Sequence, residues 1–131
     1  MRFAKGAGFW RATILIYIVL IFILSILRTN TGTHFIWSFR LDLVLHALEY
    51  FILSWLLIKY LEVSGRLKNW WYGLMLVLVF CGLIGGLNEI LQIWIPDRFA
   101  DIGDVAADLT GAVAAILFVG LSKLVKRLII K

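Results

Sequence analysis

At 131 residues the chain has room for one domain, and 63% of it is hydrophobic against 16% charged, where an average soluble domain is roughly 45–50% apolar. A soluble fold of this size could not hide that much apolar surface, so lipid is the natural solvent and a soluble enzyme or binding module is excluded. The formal net charge of +5 raises nucleic acid as a partner, but the basic residues flank apolar runs, as the charges of a membrane protein do.

The first apolar run covers about residues 12–27 and follows Arg2, Lys5 and Arg11. Basic-then-apolar is also the signature of a signal peptide. No small-x-small cleavage site follows, so a retained span is expected. The second run covers about 42–61, the third 70–95 and the fourth 104–121. Each approaches the ~20 residues that cross a ~30 Å hydrocarbon core. The segment 29–39, with His34, Phe35, Trp37 and Phe39, reads as a loop resting in the membrane interface. Residues 122–131 are basic and amphipathic and read as an extension lying along the membrane surface. The expected fold is therefore all-α: a single transmembrane domain over residues 1–131, four helices in a small bundle, with a basic C-terminal extension. Cys81 lies within the third run and has no second cysteine with which to form a disulfide.

Four spans place both termini on one side. Ten of the 13 basic residues fall there, in the two terminal segments and in the loop around Arg66 and Lys68. The positive-inside bias assigns that side, with both termini, to the cytoplasm. Trp10, Trp70 and Trp71 then belong to the inner interface, and Trp37 and Trp94 to the outer one. Of the eight acidic residues only Glu62 lies on the cytoplasmic side. The other seven gather toward the outer half. Gly82-x-x-x-Gly86 on the third span, and Ala107, Gly111 and Ala115 on the fourth, are small-residue pairs that let helix backbones approach. The glycines of the third span could equally serve a homodimer.

On the second span Asp42, His46, Glu49 and Tyr50 share one helical face. The third carries Asn88, Glu89 and Gln92, and Asp101, Asp104 and Asp108 share a face at the start of the fourth. At ~1.5 Å per residue, His46 and Glu49 lie about 6–10 Å inside the outer end of their helix. Glu89 and Asp108 fall at a similar depth. A charged group in hydrocarbon costs about 2.5–3.5 kcal/mol even on insertion scales, so ionisable residues at this depth are functional candidates. Each has a structural alternative. Asp104 suits the N-cap of the fourth helix, Asn88 and Gln92 suit interhelical hydrogen bonds, and Asp97-Arg98 suits a turn.

Several carboxylates beside one imidazole support three kinds of chemistry. They could ligate a divalent metal, Mg²⁺ or Mn²⁺ through the oxygens or Zn²⁺ through His46. They could form a general acid/base pair. They could relay protons or bind a cationic group. Arg40 and Arg98 near the outer surface could hold the phosphate or carboxylate of a headgroup.

Asp42-x-x-x-His46-x-x-x-Tyr50 resembles the D-K-x-x-H-x-x-x-Y signature of the VanZ-like membrane proteins. Glu89-x-x-Gln92-x-x-x-Pro96-x-Arg98-x-x-Asp101-x-x-Asp104 resembles that family's E-x-x-Q-x-x-x-P-x-R-x-x-D-x-x-D pattern at every spacing. The resemblance covers the chain from about Asp42 to Ala115. Two positions depart from it. Leu43 stands where lysine is usual, and Asp108 where asparagine is usual, so the layer here is more acidic. The resemblance implies a role in the cell envelope, with low-level teicoplanin resistance as the associated phenotype and lipid-linked envelope precursors or lipid headgroups as partners. It supplies no reaction.

Three functions follow as expectations. The first is an envelope protein binding a ligand through Asp42, Tyr50, Gln92, Arg98 and Asp101. The second is an intramembrane enzyme acting on a lipid-linked headgroup, with His46 and Glu89 as acid and base and Asp104 and Asp108 as metal ligands or orienting groups. The third is a small proton-coupled transporter or flippase component. The third needs acidic groups nearer the cytoplasmic half, where the sequence places none within a span.

Overall fold

A computed structural model describes residues 2–27, 35–95 and 100–129, with side chains described for 6–27, 41–95 and 100–129. Four helices follow in order: α1 (Arg2–Leu27), α2 (Phe35–Val63), α3 (Trp70–Gln92) and α4 (Ile102–Ile129). Each is long and apolar enough to cross a membrane, and together they pack as a bundle. The chain is a multi-pass membrane protein. Helices are the physical necessity here, because hydrocarbon offers no partners to backbone N–H and C=O groups.

The helices overrun the apolar runs at most ends. α2 starts at Phe35, so the interfacial loop expected over 29–39 is helical from residue 35 onward; residues 28–34 lie outside the described chain. Charges mark where lipid ends, not where a helix must end. Phe35-Ile36-Trp37-Ser38-Phe39 holds neither glycine nor proline to stop one. α3 stops at Gln92, three residues before the expected limit, and Ile93–Ile95 form a turn. α4 continues without a break to Ile129. The basic extension therefore prolongs the fourth span instead of turning away from it at Ser122. Its 28 residues at ~1.5 Å each reach about 42 Å, beyond a ~30 Å core, so the basic end clears the hydrocarbon. Lys126 and Arg127 in its last turn complement the helix dipole.

α2 and α3 are joined by a tight turn. Gly65 adopts φ 68°, the left-handed conformation that closes a helix C-terminus. Asn69 caps α3, its side chain accepting from Tyr72 N at 3.2 Å. Asn69→Ala is expected to lower stability by about 1 kcal/mol, read as a lower unfolding midpoint in detergent micelles.

α2 is the centre of the bundle: it packs most extensively on α4 and also meets α1 and α3. Association between helices in lipid rests on close packing, because lipid tails are as apolar as leucine. Gly111 provides the closest approach, since a methyl group there would overlap the backbone carbonyl of Ala47 on α2. Ala112 and Ala115 are fully buried on the same face. The third helix departs from its expected pairing. Around Gly86 a methyl group would meet nothing within 4 Å, whereas one on Gly85 would lie 2.5 Å from Asp108 Oδ2. Gly82 makes ordinary contact with Leu109 of α4 at 3.6 Å, and the glycine of α3 that is tight against α4 is Gly85. Large side chains such as Ile16, Leu83 and Leu117 are more than half exposed and form the lipid-facing surface.

The two ends differ in chemistry. Arg11 of α1 lies over the Tyr60 ring near the end of α2, and Arg66 Nη1 donates to Tyr60 Oη at 3.0 Å. Lys59 and Lys123 both pair with Glu62, and Lys123 Nζ sits 4.0 Å from the centre of the Trp70 ring. The start of α1 and the end of α4 thus meet the same end of α2. This end is basic and aromatic. The opposite end is acidic, and most of its described polar side chains are buried.

Candidate functional site

Side chains from all four helices enter the acidic end. α2 contributes His46 and Tyr50, α3 Asn88, Glu89 and Gln92, α4 Asp104 and Asp108, and α1 Ser25. All eight are buried, and His46, Tyr50 and Asp108 have no exposed surface. The helical repeat explains the alignment. Cys81, Gly85, Asn88, Glu89 and Gln92 fall on one buried stripe of α3.

His46 is at the centre. Its Nδ1 donates to Asp108 Oδ1 at 2.9 Å. This fixes the ring, and in a neutral imidazole it leaves Nε2 as the acceptor nitrogen. Nε2 has no hydrogen-bond partner among the described residues. It faces Asp104 Oδ2 at 3.8 Å, too long for a hydrogen bond. Asp42 is half-buried beside them, and one ligand atom from each of Asp42, His46 and Asp104 lies within 4.8 Å of the others. Glu89 stands within electrostatic reach of His46, Asp104 and Asp108. Its Oε2 accepts from the Asp101 backbone N at 2.8 Å, and its Oε1 has no partner among the described residues.

Glu89 also ties α3 to the start of α4. Asp101 Oδ1 accepts from Gly103 N at 2.7 Å, the geometry of an N-cap, so Asp101 takes the capping place expected for Asp104. Asp104, in the first turn, is thereby released to point into the layer.

The remaining expected residues fall in different places. Gln92 Nε2 donates to Ser25 Oγ at 2.7 Å, an interhelical bond joining α3 to α1. Tyr50 lies one turn along α2 from His46, and its hydroxyl has no partner among the described residues. Glu49 stands beside Tyr17 of α1, whose hydroxyl donates to the Glu49 backbone carbonyl at 3.2 Å. Arg98 and Asp97 lie outside the described residues, as does the Arg40 side chain. Ser25 was not among the expected residues. Its only signal was a hydroxyl at the end of the first apolar run, level with Gln92. Cys81 bonds to Ser54 at 3.1 Å deeper in the bundle.

The arrangement holds four carboxylates (Asp42, Glu89, Asp104, Asp108) around one imidazole. Low-dielectric surroundings magnify repulsion among them as much as attraction to any cation. Both amide atoms of Asn88 also lack a partner among the described residues. Buried polar atoms are normally satisfied, so a group of them at one level is a place where a polar ligand fits. Comparison with family models, with characterised proteins and with solved structures finds no match to this chain.

Proposed function

We propose that this chain is a VanZ-like protein of the plasma membrane whose acidic layer binds a polar group from the outer leaflet, in the service of the cell envelope. The observation that carries the proposal is the convergence of His46, Glu89, Asp104 and Asp108, all buried, at one end of four membrane-spanning helices. Burying ionisable groups in a membrane is costly, and packing alone would favour apolar residues there. Three of the four are positions of the motifs that resemble the VanZ-like family, and Asp108 stands at a fourth. The basic and aromatic end, with Arg11, Lys59, Arg66 and Lys123, supports a cytoplasmic placement of both termini. The layer then faces outward, where lipid-linked envelope precursors and lipid headgroups present polar groups.

A second reading is favoured by one specific geometry. His46 is held at Nδ1 by Asp108 with Nε2 open, and Glu89 has one oxygen committed and one open. An oriented imidazole beside a carboxylate is the layout of a general acid and base, which would make the protein an enzyme acting on a lipid-linked headgroup. Gly86, with open space around it, leaves the third helix able to pair with a second copy.

Expression in a teicoplanin-susceptible bacterium tests the envelope role: the wild-type chain is expected to raise the inhibitory concentration above that of cells carrying an empty vector. A cysteine replacing Ser64 is expected to resist a membrane-impermeant thiol reagent in intact cells. Labelling of that cysteine from outside would reverse the orientation, and an unchanged inhibitory concentration would count against the envelope role.

A further inference from the structure

We propose that Asp42, His46 and Asp104 form a binding site for one divalent cation of the Mn²⁺ or Zn²⁺ kind, with Asp108 orienting the histidine. The inference concerns the same layer and rests on reading it as a ligand site.

Three independent features converge. The donor set is one imidazole nitrogen and two carboxylates, a combination that suits Mn²⁺ through its oxygens and Zn²⁺ through all three. The spacing is nearly right. With metal–ligand bonds of about 2.0–2.2 Å, two donors on one ion sit no more than about 4.4 Å apart. Here Nε2 of His46 and Oδ2 of Asp104 are 3.8 Å apart, and one donor atom from each of the three residues lies within 4.8 Å of the others. Donors that are not trans sit about 3.0–3.5 Å apart on such an ion, so side-chain movements of about 1 Å close the set. The third feature is the state of His46. Its side chain has no exposed surface, and Nε2 points at the carboxylates without a hydrogen-bond partner among the described residues. A ligating histidine almost always donates its other ring N–H to a carboxylate, which fixes the tautomer and raises the basicity of the ligating nitrogen. Nδ1 of His46 makes that bond to Asp108 Oδ1 at 2.9 Å.

Charge supports the assignment. Two carboxylates facing an imidazole in a buried site repel each other, and a divalent cation offsets that repulsion in place. Asp42 and Asp104 are presented by different helices, α2 and α4, so the ion would also tie together the two helices that pack most extensively. A carboxylate has two oxygens, so Asp42 and Asp108 can each serve another partner as well. Three protein ligands leave coordination positions open, and a phosphate or carboxylate oxygen of a headgroup could fill one.

The test uses the full chain in detergent micelles, stripped of metal with EDTA and titrated with MnCl₂ while the free Mn²⁺ signal is followed by electron paramagnetic resonance. The wild type is expected to bind one Mn²⁺ per chain, and Zn²⁺ is expected to displace it. Asp108→Asn should weaken binding roughly 10–100-fold through loss of orientation, and His46→Gln, Asp42→Asn and Asp104→Asn at least as much. Glu62→Gln, at the opposite end, should bind as the wild type does. Far-UV circular dichroism and size-exclusion elution identify any variant that has unfolded. If His46→Gln fails to fold, the milder Asp108→Asn decides the matter. Folded variants that bind Mn²⁺ as tightly as the wild type, or a wild type that binds none, would overturn the site. Such a result, alongside a Glu89→Gln variant that loses the envelope phenotype, would leave the layer's function standing and remove only the metal. Metal binding with every layer variant keeping its phenotype would do the reverse.

Discussion

His46→Leu is expected to destabilise the protein by about 3–5 kcal/mol, because it removes the imidazole that Asp108 meets inside the bundle. Asp108→Leu should cost a comparable amount. Replacing both at once should cost clearly less than the sum, since the double variant buries neither charge. The size of the coupling is informative. Neutral interhelical hydrogen bonds in membrane proteins couple by about 0.6 kcal/mol on average and about 1.7 at most. A pair 2.9 Å apart with both side chains fully buried should exceed that range if its partners carry charge. SDS-driven unfolding in mixed micelles, run as a double-mutant cycle, supplies the number. Additive losses would mean that the two residues do not depend on each other.

The second large effect is steric. Gly111→Ala is expected to cost about 1–3 kcal/mol, and Gly111→Leu to prevent assembly of α4 on α2. The added carbon would overlap the Ala47 carbonyl, which is tied into the α2 backbone and cannot rotate aside. Relief requires the helices to separate along the most extensive contact in the bundle. Gly86→Ala is the matched control. It meets open space, so no loss is expected, although its sequence spacing looks equally suited to helix contact. Unfolding midpoints of the two alanine variants, measured side by side in micelles, decide it. Equal losses at Gly86 and Gly111 would contradict the packing described here.

That pair of glycines shows what the sequence could and could not convey. Small-xxx-small spacing pointed to Gly82 and Gly86, but it does not say which face of α3 turns inward. The polar residues do: extending the Asn88, Glu89, Gln92 stripe back by helical steps reaches Gly85 and Cys81, the buried positions. The number of spans was legible from apolar length, and the acidic end from counting charges by side. Helix limits were less so, since α2 and α4 run past the hydrocarbon wherever nothing in the chain stops them. The capping at the start of α4 depends on Glu89, twelve residues earlier in the chain, holding the Asp101 backbone. No local pattern announces that contact, so Asp104 took the capping place on paper. Glu49 shares a helical face with His46 by spacing, and its backbone carbonyl is where α1 docks, accepting from the Tyr17 hydroxyl.

The claim that the acidic layer works rather than merely holds the helices is tested most directly at Glu89. Glutamine keeps the length and an oxygen able to accept from the Asp101 backbone, while removing the charge. The inhibitory concentration of teicoplanin and the unfolding midpoint should be measured on the same Glu89→Gln variant. The expected result is loss of the protection given by the wild type, with stability changed by no more than about 1 kcal/mol. Full protection from a stably folded Glu89→Gln variant would contradict a functional role for the layer.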